Sequence, residues 1–424
     1  MKKKLTSTEF IERHRVRPSD FTRERSLPFH KVFLLLINFL TKSLQAELDN
    51  LFKVLLNKEM PVNEVTKTAF CLARKKLGHG AFTELDKDQL RAFYREGDYN
   101  RWNGFRLIGV DGSTARLPVS KEIQKKYGVH DTSETGVPLT YARLSQAYDL
   151  LNNLTLDAIL STYDDNEHSL ALRHTAVFSP GDLVVCDRNY ASFWMFALLN
   201  SRNIDFCFRL KVGSWKTAAS LIDSQEQETG AEIYPSKQSA KKCIELGISK
   251  APIRLRFICI TLDTGEKEVL VTSLTDVVQY PFSIFSQLYL FRWQVEESYK
   301  TMKSRLEMEN FSGKSCLAVL QDFHAKIFSC NLTAILVRGA DGLVEKKCAY
   351  RKKTYKINFT QALNRMKNSI VLLLYRNKET AGIYWDELML LFASNLEPVR
   401  KERNFQRNFR KSKRIYPMPY KNSF

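Results

Sequence analysis

The stretch YLFRWQVEESYKTMKSRLEMENFSG occupies residues 289–313, with no Gly or Pro before Gly313. Such a run reads as one continuous helix. At roughly 100° per residue, Tyr289, Arg292, Glu296 and Lys303 fall within an arc of roughly 60°. That face carries a carboxylate flanked by two cations and a phenol. A carboxylate can hold a metal, and cations with a hydroxyl can hold phosphates. The pattern also fits a solvated helix with ordinary Arg-to-Glu spacing. Glu297 turns roughly 100° away from the face, so Glu296 is the better ligand and Glu297 points to solvent or a neighbouring contact.

Upstream, two apolar strands end in an aspartate. FRLIGVDGS (105–113) ends at Asp111, and DLVVCDRNY (182–190) ends at Asp187. Between them lie strand candidates PLTYARLSQAYDLLN (138–152) and LTLDAIL (154–160), joined at Asn152 and Asn153, then a helix at 167–178. A helix at 192–203 and a strand at 205–212 follow. Three strands, helix, strand, helix, strand predict a mixed α/β sheet with an antiparallel opening and later parallel crossovers. Residues 213 to 281 are polar and turn-rich, then alternate as a hairpin through Thr264 and Gly265, which predicts a β-rich insertion.

The flanks are helical in pattern. LPFHKVFLLLINFLTKSLQAELDNLF reads as one long helix, and PVNEVTKTAFCLARKKLG as a short helix followed by a second. The latter resembles a helix-turn-helix unit that would turn Lys67, Arg74, Lys75 and Lys76 toward DNA. A solvated basic face at a helix C-terminus is the alternative. Helical patterns recur at 316–340, 356–375 and 384–396. The tail from 397 carries nine cations against Glu397 and Glu402, with Phe405 and Phe409 interleaved. The expected division is an N-terminal helical domain at 1–98, a catalytic core at 99–212 and 282–345, the insertion at 213–281, and a C-terminal helical region with basic tail at 346–424.

Across 424 residues, 65 Lys and Arg stand against 46 Asp and Glu, a formal charge of +19. That excess favours a polyanion partner, most simply nucleic acid. The eight cysteines form no C-x-x-C pair or zinc-spaced cluster, which suits reduced core thiols in a cytosolic protein. MKKKLTSTEF has no signal-peptide pattern, and VFLLLINFL (32–40) is too short to span a bilayer. No P-loop or Rossmann glycine pattern is present, so neither a nucleotide cofactor nor a membrane partner is expected.

Asp111, Asp187 and Glu296 come from three separate elements. Each strand-end aspartate alone is commonly a turn-former or cap. Together, three carboxylates suit two hard divalent cations, which activate a nucleophile and stabilise a leaving oxygen in phosphoryl transfer. Asp164, Asp165 and Glu167 read as the capped start of a helix, or as outer support for the site.

On these residues the chain resembles bacterial DDE transposases of the insertion-sequence-four family, YREK subgroup. The spacing of Tyr289, Arg292, Glu296 and Lys303 matches that signature. DGST (111–114) and DRNY (187–190) look like the two aspartate motifs. RLKVG (209–213), DFTRERSLPF and AFCLARKKL are similar to family sequence. The resemblance implies a ribonuclease-H-like mixed sheet with a β-rich insertion before the glutamate, an N-terminal helical DNA-binding domain and a C-terminal helical region. It implies two Mg²⁺, with Mn²⁺ as substitute, on Asp111, Asp187 and Glu296. Tyr289, Arg292 and Lys303 would contact phosphates, joined by Arg188, Lys300 and Arg209. The partners would be double-stranded DNA, as terminal inverted repeats and target, within a homodimeric synaptic complex in the bacterial cytoplasm. The resemblance implies cut-and-paste transposition, which in relatives passes through a hairpin on the element end. Asn189 departs from the Gly usual in relatives, and Asn tolerates a left-handed backbone. Trp215 or Trp293 would stack an extruded base or pack in the core. The rival functions are a nuclease without strand transfer and a non-catalytic DNA-binding protein of transposase descent.

Overall fold

A computed structural model describes residues 1–399 except 24, 133–135, 137, 225, 263–264 and 376–377. The basic tail from 400, and Thr264 of the predicted hairpin turn, lie outside the described residues. The strands are β1 (Arg106–Leu117), β2 (Asp131–Thr132), β3 (Pro138–Asp149), β4 (Leu154–Thr162), β5 (Asp182–Cys186), β6 (Asp205–Arg209), β7 (Glu228–Ile233), β8 (Ile253–Thr261) and β9 (Lys267–Thr272). They form one nine-stranded sheet in the order β2-β3-β1-β5-β6-β9-β8-β7, with β4 also paired to β3. β1, β3 and β4 make the antiparallel meander, and β5 and β6 add in parallel to β1. This is the mixed α/β sheet, with an antiparallel opening and later parallel crossovers, that the sequence predicts.

Side-chain alternation divides the core. Leu107, Leu183, Val185 and Cys207 face one way, into a core shared with the N-terminal helices, Val295 and Phe328. Ile108, Val110, Val184, Cys186 and Phe206 face the other way, onto the apolar helix Phe193–Ser201. At the start of the β1–β5 ladder, Arg106 pairs with Asp182 through two bonds of 2.7 Å, which fixes the register of the two strands.

Four expectations change. β1 does not end at Asp111; it runs on to Leu117 because β3 continues to pair with it. The insertion carries β7, β8 and β9, which join the main sheet, and it is not all strand and turn. β9 pairs antiparallel with β6, and helices Lys216–Asp223 and Lys237–Glu245 arise from the stretch that looked turn-rich. The long N-terminal helix is two, Phe29–Ile37 and Leu44–Leu56, and only Lys67–Arg74 is helical in the segment read as helix-turn-helix. Helix Gly80–Glu96, undetected in the sequence, packs on the central helix Cys316–Arg338.

The stretch at 289–313 also differs. Its backbone stays right-handed from Phe285 to Leu306, but the hydrogen-bond ladder changes twice. Helix Phe285–Leu290 gives way at Phe291, helix Trp293–Lys300 follows, and Thr301–Arg305 is a π turn. Glu307 then takes a left-handed backbone, φ 46°, and ends the run well before Gly313. No single helix among the described residues is long and apolar enough to cross a membrane.

Candidate active site

The parallel ladder of β1 and β5 closes with Val110 opposite Cys186. Asp111 and Asp187 are the next residues on the two adjacent strands, so they leave the ladder side by side. Val110 and Cys186 point into the core under helix Phe193–Ser201. Alternation therefore turns Asp111 and Asp187 to the opposite face, which helix Trp293–Lys300 covers. Gly109 permits that cover: a Cβ there would stand 2.7 Å from Leu150 Cδ2 and 3.5 Å from Val295 Cβ. Gln146, opposite Asp111 on β3, donates to Ser298 Oγ, and the Tyr299 hydroxyl donates to the Asp111 carbonyl at 2.8 Å. One helix face thus clasps β1 and β3 while its first turn presents Glu296.

Arg292 occupies the middle of this arrangement. Its Nη1 lies 2.8 Å from Glu296 Oε1, and its side chain is 7 % exposed. It interacts electrostatically with Asp111 and Asp187 as well. The guanidinium also sits over the rings of Trp293 and Tyr289, at 4.9 and 5.5 Å. Burial pushes the Asp111 carboxyl up to about 6; Glu296 and Glu167 add to the rise, while the Gly112 amide and Arg292 oppose it. Burial likewise raises the Tyr289 phenol, whose buried hydroxyl has no hydrogen-bond partner among the described residues.

The other expected contacts divide. Lys303 reaches β1 from the π turn and donates to the Thr114 carbonyl at 2.6 Å. Burial lowers its pKa, with Glu309 opposing. Arg188 is exposed on a 3₁₀ turn, where its amide donates to Asp187 Oδ1 at 2.7 Å. Lys300 is exposed and bonded to Glu297, which faces solvent as expected. Arg209 pairs with Glu268 at 2.9 Å, and the next residue, Leu210, is buried. Asn189 lies in that 3₁₀ turn, not in a left-handed conformation, so its difference from Gly needs no backbone allowance. Trp215 packs beside Phe196, and Trp293 is 39 % exposed.

Arg74 does not face DNA. It is buried and bonded to Asp322, Gln321, Ser312 and the Ala318 carbonyl. The sequence offers no sign of this, because Arg74 sits in a basic run while its partners lie some 240 residues away. Gly109, Gln146 and Tyr299 were also missed; a small residue two before Asp111 was the one visible signal. Glu167 is close behind β1: its Oε1 lies 3.2 Å from where a Gly112 Cβ would stand, and it pairs with Arg143 at 3.1 Å.

The donor set of Asp111, Asp187 and Glu296 is all oxygen and suits a hard divalent cation. Among the described residues no three acidic, His or Cys side chains close into a metal-holding group. Glu296 is instead engaged by Arg292. The residues fit such a cation by chemistry, and Glu296 would have to exchange its Arg292 bond for it.

Residues 102–332 match the family described as "Transposase DDE domain". Over 256 residues the chain is 23 % identical to the transposase InsG for insertion sequence element IS4 of Escherichia coli (strain K12). That match covers 59 % of this chain and 56 % of the relative, so it spans about half of the relative's length. A cryo-EM structure of the piggyBac transposase synaptic complex with hairpin DNA is similar at a TM-score of 0.41 and 11 % identity, covering 91 % of this chain and 84 % of that one.

Proposed function

Because the chain belongs to the transposase DDE domain family, we propose that it binds the terminal inverted repeats of an insertion sequence, cleaves the DNA at its ends and joins the 3′ ends to target DNA. The observation that carries this is the side-by-side exit of Asp111 and Asp187 from the parallel ladder, under the helix that bears Glu296. Those three carboxylates would hold two Mg²⁺. The ions, when bound, would activate a nucleophilic oxygen and stabilise the leaving one.

The chain's own residues supply the rest. Tyr299 and Gln146 fix the helix to β1 and β3, so that the carboxylates keep their relative positions. Arg292 balances the carboxylate charge and, when Glu296 releases it, can turn to a DNA phosphate. The Tyr289 hydroxyl is a further phosphate donor. Lys303 holds the segment of β1 beyond Asp111 and adds positive charge there. Arg188 stands at the open rim. Residues 1–98 would recognise the DNA ends, and 346–424 would support a homodimer.

The test is end-DNA nicking and strand transfer by Asp111→Asn, Asp187→Asn and Glu296→Gln in Mg²⁺ or Mn²⁺. Loss of both activities with retained DNA binding is expected. Nicking at the wild-type rate would refute the site. Nicking by the wild type without any joined product would leave a nuclease.

A further inference from the structure

Asp111 and Asp187 belong to a row of side chains that crosses the sheet. Cys186 stands opposite Phe208 on β6, and both point into the core under helix Phe193–Ser201. Asp187 and Arg209, the residues that follow, therefore turn together to the face that helix Trp293–Lys300 covers. Neighbouring strands lie about 4.8 Å apart, so the order Asp111, Asp187, Arg209 sets a guanidinium beside a carboxylate that would hold a cation. Opposite charges on adjacent strands commonly pair. Arg209 is drawn elsewhere. β9 runs antiparallel to β6, with Leu270 opposite Arg209. Leu270 and Cys207 share the core on the side of that helix, and Glu268, two residues before Leu270, points the same way. Its Oε1 lies 2.9 Å from Arg209 Nη2, and the Glu268 side chain is 8 % exposed.

Glu268 also interacts electrostatically with Asp187 and Arg292. The Tyr289 phenol interacts with Asp187, Arg209 and Glu268 alike, so the three groups lie together at one edge of the site. Resting on the proposed transposase function, we propose that Glu268 is a positioning residue: it draws Arg209 off Asp187 and leaves that carboxylate to the divalent cation. Without Glu268, Arg209 would close on Asp187 as Arg292 closes on Glu296. A second carboxylate of the site would then carry a guanidinium in place of a metal. β9 lies in the insertion, so the insertion sets the charge that Asp187 presents.

The probe is Mn²⁺ alone, titrated into the full chain and followed by the electron paramagnetic resonance signal of the free ion. Asp187→Asn should abolish the binding. Glu268→Gln should weaken it about tenfold, through one cation brought against Asp187. Adding Arg209→Gln to Glu268→Gln should restore the affinity to within about twofold of wild type, a recovery that a merely structural role for Glu268 would not give. If Glu268→Gln does not fold, Glu268→Asp carries the test: its carboxylate stops one methylene short of Arg209, and the smaller loss must again be relieved by Arg209→Gln. An unchanged affinity in the Glu268 variant, or a loss that Arg209→Gln leaves in place, overturns the proposal while the proposed function stands. Equal Mn²⁺ binding by wild type and Asp187→Asn overturns both, because the carboxylates would then not be the metal site.

Discussion

Replacing Arg74 by Ala separates a structural arginine from a DNA contact. Its Nη2 lies 2.9 Å from Asp322 Oδ1, and both side chains are 4 % exposed. Nε and Nη1 donate to Gln321 and Ser312 at 2.9 and 2.8 Å. Removing one member of a buried pair typically costs about 3–5 kcal/mol, because the other charge is left uncompensated. Asp322 would keep the Ser312 amide and hydroxyl, at 2.6 and 2.7 Å. The lower end, about 3 kcal/mol, is therefore expected. Urea unfolding followed by tryptophan fluorescence measures it. The pH dependence adds a second check. Burial alone would raise the Asp322 carboxyl, and Arg74 together with the Ser312 amide and hydroxyl and Lys326 holds it below its usual range. In the wild type this stability is present above the unfolded value near ~3.9 and is lost as pH falls through the folded one. Without Arg74 the burial effect remains, and it penalises the charged form. The gap between variant and wild type should thus be widest near neutrality and shrink below about pH 4. Adding Asp322→Asn should recover part of the loss. A variant within about 0.5 kcal/mol of wild type, as for an ordinary surface change, but with weakened DNA binding would refute the reasoning.

Gly109→Val should force β1 from Leu150 and Val295, destabilise the fold by about 1–3 kcal/mol and reduce nicking more than DNA binding, as gel shift and nicking assays on one preparation would report. Lys303→Ala should lower the salt slope of end-DNA binding by about one phosphate contact, while Glu297→Gln should leave it unchanged. Burial pushes the Asp86 carboxyl up to about 7, against bonds from Asn331 and Gln89. Its folded value is raised, so its contribution is fully present below the unfolded value near ~3.9 and is lost as pH rises through 7; Asp86→Asn should flatten that decline in urea midpoints measured from pH 4 to 8.

The sheet was legible because its strands are apolar runs separated by turn residues, and because the order of strands and helices admits few topologies. Asp111, Asp187 and Glu296 were legible as residue types in sequence order. What could not be read was pairing at a distance. β1 extends past Asp111 only because β3 supplies a partner, and nothing local at Gly112 or Ser113 announces it. Helix Lys216–Asp223 looked like a turn because its polar outer residues outnumber its buried Ala218 and Leu221. Arg74 looked like a surface cation because its counter-charge is remote in sequence. The convergence of the carboxylates on Arg292 likewise depends on the lie of a helix across a glycine, which periodicity does not encode.

The π turn at Thr301–Arg305 bears on how this chain can change. A π turn closes its hydrogen bond one residue later than an α turn, so this segment holds one residue more than a regular helix would. Losing Thr301 or Met302, which precede Lys303, would restore the regular ladder. Tyr289, Arg292 and Glu296 lie upstream and would stay in place. The side chain that follows at the Lys303 site would rotate by roughly 100° and lose the Thr114 carbonyl. The distance from Glu296 to Lys303 therefore works as a ruler, and this motif should tolerate a conservative substitution better than a shift in length.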